Sequence, residues 1–120
     1  MSEIGVRFSC GDLNLEGILS LPEGEAPFPA VVVCHPHPLF GGSMDNNVVI
    51  GVSEALVQAS LVTFRFNFRG VGESQGEFNQ EIREFENVAA AISFISSVKE
   101  VDSSKIGVVG YSAGAGFGIP

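Results

Sequence analysis

Basic side chains are scarce in this chain. Lys and Arg together number 6 against 14 Asp and Glu, for a formal net charge of -8 at pH 7. A nucleic-acid surface needs clustered positive charge to neutralise phosphates, so no nucleic-acid partner is expected. The acidic residues are dispersed along the chain, as on a solvated surface. Cysteine is also rare, with only Cys10 and Cys34, and these lack the C-x-x-C spacing of metal and redox motifs. Both fall inside apparent strands, which fits buried free thiols in a reducing cytoplasm. No apolar run is long enough to cross a bilayer. Met1-Ser2-Glu3-Ile4 lacks the basic segment and apolar stretch of a signal peptide. The expected setting is therefore cytoplasmic, away from membranes. Internal repeats, low-complexity stretches and linkers are absent, and residues 1–120 read as one domain.

What is abundant is apolar. Hydrophobic residues make up 45% of the chain, which suits a sheet buried on both faces. Ile4, Val6, Phe8 and Cys10 alternate as a strand, and Gly11-Asp12 reads as a two-residue hairpin turn. Leu13, Leu15, Gly17 and Leu19 continue the alternation. After a Pro/Gly/Glu loop from Pro22 to Pro29, Ala30 to Cys34 is the continuous apolar run of a central parallel strand. Ser43 or Asp45 can cap a helix with Val48, Val52, Leu56 and Ala59 on one face. Leu61 to Phe68 predicts a strand, with Phe64, Phe66 and Phe68 on one side and Arg65 and Asn67 on the other. Asn79 can cap a helix striped by Ile82, Phe85, Val88, Ala89, Ile92 and Ile95. Val101 to Ser104 reads as a turn, and Lys105 to Val109 as a short buried strand. Strands alternating with helices predict an α/β fold with a mostly parallel sheet, flanked by helices and led by an antiparallel hairpin.

The last strand runs into Gly110-Tyr111-Ser112-Ala113-Gly114. A strand, G-x-S-x-G and then small residues is the pattern of a nucleophile elbow, a sharp turn that lifts a serine above a sheet. Small residues must flank the strained serine, and Gly110 and Gly114 supply them. Ser112 is the candidate nucleophile. The Ala113 backbone N–H is a candidate oxyanion donor. Two other readings compete. One is a glycine-rich turn with an incidental serine. The other is a phosphate loop at Gly114-Ala115-Gly116-Phe117-Gly118, which lacks the lysine of a P-loop and follows a late strand.

A second group follows the third strand, running from His35-Pro36-His37-Pro38 to Asn46-Asn47. In elbow enzymes the loop here commonly supplies the second oxyanion donor. Pro36 and Pro38 have no N–H. The nearest donors are His37, Leu39 and Phe40, with the His37 backbone favoured and Leu39 next. The His35 ring is expected to bond backbone and order the loop. His37 as a base, or His35 with His37 on a metal, are weaker readings, and no third metal ligand is evident.

With these motifs in order, the chain resembles the N-terminal half of an α/β-hydrolase, and within it the small dienelactone-hydrolase-like set of bacterial hydrolases. The resemblance rests on the histidine–proline loop continuing through Phe40-Gly41-Gly42-Ser43-Met44-Asp45-Asn46. It rests also on Asn67-Phe68-Arg69-Gly70-Val71-Gly72-Glu73-Ser74-Gln75-Gly76, and on the elbow. It implies a roughly eight-stranded sheet with an antiparallel second strand and Ser112 as nucleophile. It also implies that Arg69 and Asp45 hold loops and take no part in catalysis. No cofactor is implied. The expected function is hydrolysis of a carboxylic ester or thioester through an acyl-enzyme.

In such enzymes the acid and the histidine of the triad follow the serine. Ala113 to Pro120 contain no Asp, Glu or His. The expectation is a fold truncated after the elbow strand, the front half of a longer enzyme. The elbow strand would then be an exposed apolar edge that invites self-association. The alternative is a non-catalytic binding or assembly protein that keeps the fold.

Overall fold

In the computed structural model, residues 2–35, 42–76 and 82–110 are described. Strand β1 (Ser2–Cys10) turns at Gly11-Asp12, where Gly11 adopts φ +60°, into β2 (Leu13–Leu21). Cys10 pairs with Leu13 across the turn, the register of the expected two-residue hairpin. Strand β3 (Phe28–Cys34), helix α1 (Asn47–Gln58), β4 (Val62–Phe66), α2 (Ile82–Ser96) and β5 (Val101–Gly110) follow. The sheet order is β1-β2-β4-β3-β5. β4, β3 and β5 are mutually parallel, whereas β2 runs antiparallel to both β1 and β4. The sheet is thus mixed, with its parallel part on one side and the hairpin on the other.

Period-two alternation sorts the strand residues onto two faces. Phe8, Leu15, Leu19, Ala30, Val32, Phe64 and Phe66 form one buried cluster with Ala91 and Ile95 of α2. Phe8 and Phe64 meet edge to face at 5.2 Å, and Phe94 of α2 lies 5.0 Å from Phe64. The Phe64 ring lies so close over β2 that a Cβ on Gly17 would stand 2.6 Å from it. The opposite face carries Thr63 and Arg65 and is covered by α1.

Helix α1 starts one residue after the expected caps. Asn46 is the N-cap, its side chain accepting from the Val48 and Val49 N–H groups. Ser43 instead turns its Oγ to the Asp45 N–H. The buried positions of α1 are Val49, Ser53 and Val57, while Val48 is exposed. The buried face is thus rotated by one residue from the expected one and is carried by Val49 and Val57, with Ser53 between them. The helix ends in a Schellman arrangement: Leu61 N–H donates to Leu56 O at 3.0 Å and Ser60 N–H to Val57 O at 2.9 Å. Ser60 bears the left-handed conformation there, at φ 71°.

On α2, Asn87, Ala91 and Ile95 are fully buried at four-residue spacing, and Phe85 is 75% exposed. The expected stripe holds at Ile95 and at Val88 and Ile92, which pack on the core, and fails at Phe85 and Ala89, which are exposed. Asn79 lies outside the described residues. Val101 to Ser104 belongs to β5, with a register irregularity opposite Phe28/Ala30, and Asp102 accepts from the Ser104 N–H and Oγ. β5 pairs only with β3 among the described residues, leaving Val108 and Val109 exposed. The buried strand expected at Lys105 to Val109 is therefore an edge.

Candidate active site

The parallel register brings three strand ends to one rim. Cys34 pairs with Gly110, and Val33 with Arg65. His35, Asn67 and the first elbow glycine, Gly110, therefore stand at the carboxyl edge, where open α/β sheets bind ligands.

His35 is 1% exposed. Its Nε2 accepts from the Phe68 backbone N–H at 3.2 Å, and the two rings lie 4.6 Å apart. That bond makes Nε2 an acceptor without a proton. The ring bonds backbone, as expected; residues 36–41 of the loop that it was expected to order lie outside the described residues.

The return of this loop is held from β4. Met44 N–H donates to Asn67 Oδ1 at 2.8 Å, and Met44 O accepts from Arg65 Nη1 at 2.7 Å. Arg65 Nη1 also reaches Asp45 Oδ1 at 3.1 Å, and Nη2 lies 3.8 Å from Glu3 Oε2. A buried guanidinium is costly unless paired. Here Asp45, Glu3 and a carbonyl supply the partners.

Asn67 is the centre of a wider network. Its Nδ2 donates to Glu16 Oε2 at 2.7 Å, and its backbone N–H to Glu16 O at 3.0 Å. Its carbonyl accepts from Ser74 Oγ at 2.8 Å. Ser74 Oγ also accepts from the Glu16 N–H at 2.9 Å, and Glu16 Oε2 takes the Glu73 N–H at 2.7 Å. The loop from Gly70 to Gly76 folds on these bonds. Gly72, at φ +56°, passes so close to the Glu16 carboxylate and the Asn67 amide that no Cβ fits. Further along, Asn14 and Gln75 exchange two hydrogen bonds.

Arg69 ties the same loop to α2. Its N–H donates to Asn87 Oδ1 at 2.9 Å, and its Nη2 to Glu86 Oε1 at 3.2 Å. Asn87 Nδ2 and Arg69 Nη2 both approach Cys10 Sγ, at 3.4 and 3.8 Å. Arg69 and Asp45 thus hold loops, as the motif comparison implied. On the other side of the rim, burial pushes the Cys34 thiol up to about 12, so it stays neutral beside Gly110.

Gly110 closes β5 within the described residues. Tyr111, Ser112, Ala113 and Gly114 of the elbow lie outside them, as do His37 and Leu39, the candidate second oxyanion donors. The described residues contain no group of three or more His, Cys, Asp or Glu that could hold a metal ion. None of the described helices is long and apolar enough to cross a membrane. The residues that sequence reasoning passed over are Glu16, Ser74 and Asn87. No periodicity marked them: Glu16 is out of phase with the apolar residues of β2, Ser74 lies in a loop, and Asn87 falls off the apolar stripe expected for α2.

No protein-family model matches the chain. Over 87 residues it is 38% identical to an uncharacterized protein of Rickettsia prowazekii, which covers 72% of this chain and 36% of that one. Among solved structures, an α/β serine hydrolase homologue from Coxiella burnetii superposes with a TM-score of 0.83 at 35% identity. It covers 96% of this chain and 54% of its own. The chain has the N-terminal half of the α/β-hydrolase fold. An α/β serine hydrolase without a lid, from Xanthomonas campestris, agrees at a TM-score of 0.81 and 28% identity over 93% of this chain and 51% of that one. The chain thus spans about a third of the length of the curated relative and about half of these two α/β-hydrolases.

Proposed function

We propose that the chain is the front half of a serine hydrolase that cleaves a carboxylic ester or thioester through an acyl-enzyme. The observation that carries the reading is the register of β3 with β5. It sets Gly110, the first residue of the elbow motif, beside Cys34 at the carboxyl edge, next to His35 in the chain. The likeness to proteins described as serine hydrolases adds support.

In this reading Ser112 Oγ attacks the substrate carbonyl while a general base takes its proton. The oxyanion is held by the Ala113 backbone N–H and by that of His37, with Leu39 as the second choice. The alcohol or thiol leaves with a proton, and water then hydrolyses the acyl-enzyme. The base and the acid that orients it are assigned to segments following residue 120 in the full-length enzyme. Tyr111 and the flanking Gly110 and Gly114 shape the turn. The substrate is a small ester-type molecule, and the buried free thiols Cys10 and Cys34 suit a cytoplasmic setting.

A fluorophosphonate probe tests the reading in the full-length protein. The expected result is one covalent adduct that disappears in Ser112→Ala. No adduct, or one that survives this substitution, would overturn it.

A further inference from the structure

We infer that Asn67 is a positioning residue for the candidate active site, locking the loop after β3 and the Gly70–Gly76 loop into one unit. The inference rests on the serine-hydrolase reading for its catalytic consequence, and on geometry alone for the coupling.

The two loops are separated by more than twenty positions in the chain. Asn67 stands between them at the end of β4. Its side chain is used at both ends: Oδ1 accepts from Met44 N–H at 2.8 Å, and Nδ2 donates to Glu16 Oε2 at 2.7 Å. Its carbonyl accepts from Ser74 Oγ at 2.8 Å. Glu16 passes the connection on through Glu73 N–H at 2.7 Å. Asn67 is 2% exposed, so its own amide is shielded from water and depends on these partners.

The amide is the one side chain of this size that can accept from Met44 and donate to Glu16 at once. An aspartate keeps the acceptor but sets a carboxylate against Glu16. A leucine keeps the volume and loses both bonds. His35, bonded to Phe68 N–H, fixes the other described end of the loop after β3 from the residue next to Asn67. His35 and Met44 are thus fixed from the neighbouring positions Phe68 and Asn67, just beyond β4. Displacing Asn67 shifts both loops relative to the strand end that carries Gly110. Misplacement of about an ångström near reacting groups lowers turnover far more than binding.

The test uses the full-length protein with a p-nitrophenyl ester as probe. Asn67→Ala is expected to lower kcat by about tenfold or more with KM within about threefold, measured per folded molecule. Asn67→Asp should lose activity as well, and adding Glu16→Gln should recover part of it, because the introduced glutamine amide can donate to the introduced aspartate but no longer accepts from the Glu73 N–H at that atom. That pair carries the test if Asn67→Ala fails to fold. A merely structural role would change stability and leave kcat per folded molecule within about twofold, which would overturn the inference. Amide hydrogen exchange separates this outcome from failure of the hydrolase reading. If the wild-type protein forms no fluorophosphonate adduct, that reading fails alone. The coupling then stands if Asn67→Ala speeds exchange at Met44 and Glu73 together, and falls if either stays protected.

Discussion

The Nε2 atom of His35 accepts a hydrogen bond from the Phe68 backbone N–H across 3.2 Å, joining the end of β3 to the end of β4 at the buried rim of the sheet. The histidine therefore substitutes for a ladder bond just where the two strands stop pairing. His35→Ala leaves that amide without its acceptor and opens a cavity against the Phe68 ring. Its expected cost is about 2–4 kcal/mol. His35→Gln keeps an acceptor and should cost clearly less. Urea unfolding of the two variants checks the order; equal losses would count against the bond.

Ser60 offers the opposite kind of change. It holds the left-handed position of the α1 C-terminus at φ 71°, where a side chain is strained. Ser60→Gly is expected to stabilise the protein by about 0.5–1 kcal/mol. A rise in the thermal midpoint checks it, and a fall would mean that the Ser60 side chain makes a compensating contact.

Cys34 gives the alkaline limb. Its thiol is pushed up to about 12 in the folded protein by burial. An unfolded thiol titrates near pH 8.5. Between the two values the folded state keeps a proton that the unfolded state has lost. The stabilisation from the neutral thiol is thus complete below the unfolded pKa, falls by about 1.4 kcal/mol per pH unit above it, and is gone once pH passes the folded pKa. Cys34→Val should flatten that slope relative to wild type in denaturant titrations at pH 8 and pH 10.5. Identical slopes would refute the assignment.

Much of the fold was legible in the sequence because strand alternation is strict here. Phe64, Phe66 and Phe68 share one face with Phe8 and Leu15, while Arg65 and Asn67 turn to the other, as period two demands. The hairpin turn at Gly11-Asp12 was equally clear. The face of α1 was not. Two overlapping four-residue series run along it, and the buried one is Val49, Ser53 and Val57, in which the serine breaks an otherwise apolar pattern. Ser53 Oγ has no hydrogen-bond partner among the described residues, so no polar pairing accounts for its place there. The roles of Asn67 and Glu16 depend on contacts between residues 51 positions apart. No local pattern encodes such a distance. The elbow, by contrast, is legible as a motif in the chain, and only its leading glycine falls among the described residues.

The reversed direction of β2 has a practical consequence. Because it runs against β4, its first residues, Asn14 and Glu16, arrive at the rim where β4 ends, and its last residues lie at the far side. The amino-terminal hairpin looks like a peripheral ornament that a shortened expression clone could omit. Removing it would strip the loop at Gly70–Gly76 of its floor, although more than fifty residues of chain lie between. Tags belong instead near Ser2 and Leu21, at the end of the hairpin farthest from the rim, whereas Gly11-Asp12 turns at the same end of the sheet as the Gly70–Gly76 loop.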